Sequence, residues 1–225
     1  MNSLRYRFQT VEFGDLDIHV RTLRDTNQFQ DDDGIAAEYG ISSATWPLFG
    51  VLWESSRPLA ELMLDYDIEG KRILEVGCGI ALASLVLSHR NADIVATDYH
   101  PEAGRFLEYN AALNGDKKIP FFRTGWAEMQ PELGLFDVII GSEVLYERGH
   151  ALDLSDFISR HAKPAATVII VDPGREHRSR FSQHMVKHGF SHERTRPETR
   201  KDLPETYHGQ ILEFVRDPEN PIVPA

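Results

Sequence analysis

Glu75-Val76-Gly77-Cys78-Gly79-Ile80-Ala81 stands where a short apolar run, Arg72-Ile73-Leu74-Glu75-Val76, turns into a helical run from Ala81 to His89. Glycines between a strand and a helix let the backbone turn tightly and let a ligand approach it closely. A lone GxG is common in α/β domains, so its neighbours decide what it binds. A dinucleotide fingerprint needs a small residue at the third glycine position, and Leu82 is bulky there. Glu75, two residues before Gly77, is poorly placed for a pyrophosphate. It suits a sulfonium ligand carrying an α-amino group, so a cationic ligand is favoured. No GxxxxGK[ST] phosphate loop occurs.

Beyond this turn the chain alternates strand and helix. Asp93-Ile94-Val95-Ala96-Thr97 reads as a second strand and about Pro101 to Leu113 as a helix. Ile119-Pro120-Phe121-Phe122 is a weaker third strand, whose proline places it at a sheet edge. Phe136-Asp137-Val138-Ile139-Ile140 and Thr167-Val168-Ile169-Ile170-Val171 are almost continuously apolar. Such strands are buried on both faces, in a parallel sheet covered by helices. About His177 to His188 is a further helix, and Ser191 to Val215 supplies two more strands, Gln210 to Val215 the clearer. Upstream, Val11-Glu12-Phe13 and Leu16 to Val20 flank Gly14-Asp15 as a hairpin. Gln28 to Gly34 reads as a polar loop. A helix capped by Ser55 or Ser56 carries Pro58 in its first turn and buries Leu59, Leu62, Met63 and Tyr66.

The expected fold is a three-layer αβα sandwich around a seven-stranded, mostly parallel sheet, with a small N-terminal hairpin extension. One domain is expected over 1–225: an N-terminal extension at 1–50, a core at 51–217 and a loose, proline-rich tail at 218–225. The 225 residues, 41% hydrophobic and 10% aromatic, suffice for a packed core.

Twenty-four Lys and Arg against 35 Asp and Glu give a formal charge of −11, which repels nucleic acid and anionic membranes. A single cysteine forms no internal disulfide, and Met1 to Thr10 holds no apolar stretch of signal length. No apolar run approaches the ~20 residues of a membrane helix. A cytoplasmic protein is expected, with no nucleic-acid or membrane partner and its oligomeric state left open.

The second strand ends in Asp98, 23 residues after Glu75 (98 − 75). An acid at that tip can accept both ribose hydroxyls of a nucleoside, or it can cap the following helix. Cys78 packs beneath the turn as a small apolar group. Ser142-Glu143-Val144-Leu145-Tyr146 follows the fourth strand at the ligand-bearing edge. Glu143 either caps the next turn or orients a substrate. Tyr146 either packs or walls a pocket. His184 and His188, four apart, read as a solvated helix face, and no metal site is expected. Arg175 is open to a substrate acid or to a surface salt bridge.

Together these residues resemble the class I (seven-strand) S-adenosylmethionine-dependent methyltransferases, and within them the lysine methyltransferase-like, or nicotinamide N-methyltransferase-like, family 16. Leu52-Trp53-Glu54-Ser55-Ser56 looks like that family's tryptophan segment ahead of a helix. Gly125-Trp126 looks like its adenine-side tryptophan, and Glu143-Val144-Leu145-Tyr146 like its acid-x-x-aromatic motif. Asp172-Pro173-Gly174-Arg175 resembles the end of strand five in bacterial members that modify protein lysines. The likeness runs from Trp53 to Arg175. It departs at Ala81, where most members have a third glycine, and at Glu54, where many have proline.

The resemblance implies S-adenosylmethionine as cofactor, with contacts from Trp53, Gly77, Cys78, Gly79, Asp98, Trp126 and Ser142, and Glu75 beneath its methionine end. Core packing is the other reading of each tryptophan. It implies N-methylation of a protein lysine, with Glu143 and Tyr146 at the acceptor. The Asn/Asp-Pro-Pro-Tyr motif of adenine and glutamine methyltransferases is absent after strand four. A small-molecule amine or heterocycle is the alternative acceptor. A non-catalytic cofactor-binding module and a nucleotide-dependent oxidoreductase are the readings outside this class, and Leu82 counts against the last.

Overall fold

A computed structural model of the chain describes residues 4–146, 149–196 and 207–219. The chain opens with an antiparallel hairpin, β1 (Tyr6–Phe13) and β2 (Leu16–Leu23), turning at Gly14. A one-turn helix α1 (Ile35–Glu38) and a 3-10 turn, Trp46–Gly50, lead to α2 (Ser56–Asp65). Then follow β3 (Arg72–Glu75), α3 (Leu82–His89), β4 (Asp93–Asp98), α4 (Ala103–Leu113) and β5 (Phe121–Arg123). The last part holds β6 (Phe136–Ser142), α5 (His150–His161), β7 (Ala162–Asp172), α6 (Arg178–Lys187), β8 (Glu193–Thr195) and β9 (Gln210–Arg216).

Seven strands form one sheet in the order β5-β4-β3-β6-β7-β9-β8. Strands β3 to β7 run parallel, while β9 is antiparallel to both β7 and β8. Side chains alternate between two cores, as the two-residue strand period demands. Ile73, Ala96, Ile140 and Val171 face the layer of α2, α3 and α4, and Leu74, Val95, Ile139 and Ile170 face α5 and α6. The three-layer sandwich and the edge position of the third core strand agree with the sequence expectation. Pro120 lies just ahead of β5, where its carbonyl accepts the Ala96 N–H at 2.9 Å and no donor is required of it.

The hairpin is longer than the alternation of Val11 to Val20 indicates. Its outer strand is docked on α4 by side chains that imitate a neighbouring strand. Asn110 and Asn114 accept the Arg21 and His19 N–H groups at 2.8 and 2.7 Å, and their amides donate back to the same residues' carbonyls. The Arg21 guanidinium lies over Tyr109 at 3.8 Å and over Tyr6 and Phe106 at 4.6 Å. Helix α5 has no counterpart in the expectation, although Ala151, Leu154, Phe157 and Ile158 give it a buried stripe. The tail from position 220 lies outside the described residues.

Candidate cofactor and acceptor site

The carboxyl ends of β3, β4, β6 and β7 converge on one edge, where α/β sheets bind ligands. The turn after β3 is held open by left-handed backbone at Gly77 (φ 58°), Gly79 (φ 52°) and Ala81 (φ 61°). A Cβ on Gly77 would lie 2.8 Å from Val144 Cγ1 and 3.5 Å from Trp126 Cζ2. A Cβ on Gly79 would lie 3.1 Å from the Phe49 carbonyl. Both glycines are therefore required by space as well as by φ. The Cys78 N–H donates to the Thr97 carbonyl at 2.9 Å, and the Thr97 hydroxyl to the Glu75 carbonyl at 3.0 Å. These bonds pin the turn to β4.

Asp98 organises the same turn. Its Oδ2 accepts the Gly79 N–H and its Oδ1 the His100 N–H, both at 2.8 Å. Burial holds its carboxyl above the usual range, opposed by those backbone donors. The N-cap of α4 is Glu102, so the helix-cap reading of Asp98 is set aside. Glu75 is buried, and its Oε2 accepts the Ser84 N–H at 2.9 Å together with the Ser84 hydroxyl. Burial raises its carboxyl to about 7 against the pull of those bonds. Burial also pushes the Cys78 thiol well above its ordinary value, as an apolar, inert role requires.

Of the three tryptophans, Trp46 is the core residue, 1% exposed and packed edge-on to Phe29, Phe49 and His100. Trp53 is 37% exposed, its indole N–H on the Leu48 carbonyl at 2.9 Å. Trp126 sits beside Gly77 and is joined through His150 to Tyr146, with ring centroids 4.9 and 4.6 Å apart and rings nearly perpendicular. Trp126, His150 and Tyr146 thus form one wall. Tyr99, missed from the sequence, follows Asp98 with its exposed ring against Gly125 and its hydroxyl on the Tyr39 carbonyl at 2.6 Å.

Past Ser142, at the tip of β6, Glu143 adopts left-handed backbone (φ 56°) and donates its N–H to the Val171 carbonyl at 2.9 Å. Its carboxylate turns inward: Oε1 accepts the Ser55 N–H at 3.1 Å and Oε2 the Arg175 guanidinium at 2.9 Å. The loop after β7 is shaped by buried Asp172, whose Oδ1 accepts the Gly174 and Arg175 N–H groups at 2.8 and 2.7 Å. The Tyr207 hydroxyl meets Ser55 Oγ at 3.0 Å, and burial raises its pKa. Four distant segments therefore meet around Glu143. Ser55, Asp172 and Tyr207 carry no sequence signal for this meeting, because it depends on the tertiary arrangement.

The His188 ring pairs with Asp156 at 2.8 Å. Among the described residues no group of three or more His, Cys, Asp or Glu could hold a metal ion. A crevice of about 360 Å³, lined by Met129, Leu135 and Arg160 among others, lies at the amino end of β6, away from the ligand-bearing edge.

The family described as methyltransferase domain matches residues 54–206. The histidine protein methyltransferase 1 homolog of Dictyostelium discoideum is 27% identical over 117 residues, 49% of this chain and 38% of that protein. Protein N-lysine methyltransferase METTL21A of Danio rerio is 29% identical over 116 residues, 46% and 52% of the two chains. The matched stretch thus spans about half or less of these relatives. The magnesium protoporphyrin IX methyltransferase of Synechocystis PCC 6803, solved with bound SAM, superposes with TM-score 0.60 at 19% identity. That match covers 85% of this chain and 100% of the other, and speaks for the fold.

Proposed function

Because the chain belongs to the methyltransferase-domain family, we propose that it transfers a methyl group from S-adenosylmethionine to a nitrogen acceptor, a protein lysine foremost. The observation that carries this reading is the junction of the Gly77–Gly79 turn with Asp98 on one side and the Trp126–His150–Tyr146 wall on the other. The close approach of the Gly77 backbone to Trp126, and the Asp98 carboxylate at the same turn, suit a nucleoside with an attached cationic chain. Asp98 would take the ribose hydroxyls, and Tyr99 and Trp126 offer flat apolar faces to the base. Gly77, Cys78 and Gly79 would line the middle of the ligand. Trp53 and Ser142 complete the rim, and Glu75 lies beneath the turn on the methionine side.

When bound, this cofactor supplies an electrophilic methyl group on a good leaving group. The protein is left with alignment, exclusion of water and proton control. A lysine amine has an ordinary pKa of about 10.4 and attacks only when neutral. Glu143 accepts one amine N–H and so aims the nitrogen lone pair. Tyr146, half exposed at the end of the wall, covers the acceptor chain. An aromatic face there also tolerates the charge that develops on nitrogen. Lysine and histidine protein methyltransferases among the relatives, and the acid-x-x-aromatic spacing of Glu143 and Tyr146, support a protein acceptor. A reducing, cytoplasmic setting belongs to the same reading.

Incubation with radiolabelled S-adenosylmethionine and a lysate of the source organism tests the acceptor. Label in a protein band is expected, and label confined to small molecules overturns the lysine reading. Glu143→Ala, with cofactor binding intact, should lose most turnover. Near-normal turnover removes Glu143 from the mechanism.

A further inference from the structure

Glu143 is the acid nominated to hold the acceptor, yet a bare carboxylate there works against the chemistry. An uncompensated negative charge within about 4–6 Å of an amine favours its protonated form. That form has no lone pair to give. The geometry resolves this conflict. Arg175 Nη2 lies 2.9 Å from Glu143 Oε2, and Glu143 itself is only 9% exposed. Arg175 does not reach this place by chance of a long side chain. Its backbone N–H is fixed on Asp172 Oδ1 at 2.7 Å, and Asp172 is wholly buried.

We propose that Arg175 is a positioning residue that cancels the charge of Glu143, so that the acceptor site receives a neutral amine. This rests on the amine-methyltransferase reading above. Other titratable groups surround this pair. Glu54 and Ser55 stand at the start of α2, Asp172 and Arg178 at the end of β7 and the start of α6, and Tyr207 beside β9. Arg178 lies 3.4 Å from Asp172 Oδ1 and shares that second acid with Arg175, whose direct side-chain ion pair is with Glu143. Ser55 N–H occupies Glu143 Oε1 and fixes the carboxylate plane. A neutral amine can still donate one N–H to a remaining Glu143 lone pair. An ammonium gains little from a carboxylate already paired with a guanidinium, and it is repelled by Arg175.

The test uses n-butylamine, the bare lysine side chain, labelled with ¹³C beside nitrogen. It is added to the chain loaded with S-adenosylhomocysteine and followed by NMR from pH 6 to 11. In the wild type the bound amine should titrate at least one unit below free butylamine. Arg175→Gln should return it to the free value or above, and Arg175→Lys should keep it depressed. Equal titration in wild type and Arg175→Gln, or no bound amine in the wild type, overturns the proposal. Methyl transfer to lysate protein is measured in parallel against pH. There Arg175→Gln should move the rate profile about one unit to the alkaline side, and a uniform loss at every pH contradicts it. Label transfer with an unchanged amine titration removes only the role of Arg175. No label from the wild type at any pH removes the reading beneath it.

Discussion

The Gly79 N–H donates to Asp98 Oδ2 over 2.8 Å, so the carboxylate at the tip of β4 holds the glycine turn that follows β3. Asp98→Ala removes this bond and the acceptors for two hydroxyls. Hydrogen bonds to a charged group contribute about 1.5–3 kcal/mol. Titration calorimetry should therefore find S-adenosylmethionine bound at least about tenfold more weakly. Asp98→Asn, which keeps one oxygen, should fall between. Unchanged affinity in Asp98→Ala would take Asp98 out of the cofactor site.

Ala81, the N-cap residue of α3, holds left-handed backbone (φ 61°). A residue with a Cβ is disfavoured there by about 1–2 kcal/mol, and glycine returns about 0.5–1 kcal/mol of that through its greater chain entropy. Ala81→Gly should stabilise the fold by about 0.5–1 kcal/mol, read as a midpoint shift in urea, with cofactor affinity kept. A destabilised variant would show that the alanine methyl packs in ways that outweigh its strain.

Glu75 contributes a pH dependence of defined sign. Its carboxyl rises from an ordinary 4.5 to about 7 in the folded chain, with burial as the chief cause. A raised acid stabilises fully below its unfolded pKa and loses that contribution as pH climbs through the folded one. The gap corresponds to about 3 kcal/mol at most. Glu75→Gln should match the wild type near pH 4.5 and exceed its stability at pH 8 by about 1–3 kcal/mol. Denaturant melts at the two pH values decide this, and a variant weaker than wild type at pH 8 would contradict it.

Cys78 is buried, and burial raises its thiol pKa. A thiol reagent at pH 8 should leave it unmodified in the native chain and modify it fully in denaturant. Rapid native modification would place the sulfur at an open surface of the turn.

Much of this architecture was legible because its carriers are local. Val138 to Ile140 and Val168 to Val171 are apolar at every position, and only a strand covered on both faces needs that. The glycine turn and Asp98 announce themselves through spacing. Helix α5 is not announced by the sequence: charged residues separate its apolar positions and its N-cap, Gly149, offers no side-chain cap, although the 3.6-residue period is present. The left-handed backbone of Glu143 has no composition signal at all. Ser55 and Tyr207 stand 152 positions apart, and Glu143 and Arg175 stand 32 apart. Only the strand order β6-β7-β9 and the packing of α2 on β6 and β7 bring those pairs together, so the acceptor side could not be assembled from sequence. The two resemblances that named Glu143 and Arg175 separately did not indicate that they neutralise each other.

Calorimetric titration of the wild-type chain with S-adenosylmethionine, and separately with NAD, tests the cofactor site most directly. Single-site binding of S-adenosylmethionine with no heat from NAD is the expected result. Binding of NAD alone would contradict the assignment of the Gly77–Gly79 turn and Asp98 to a methyl donor.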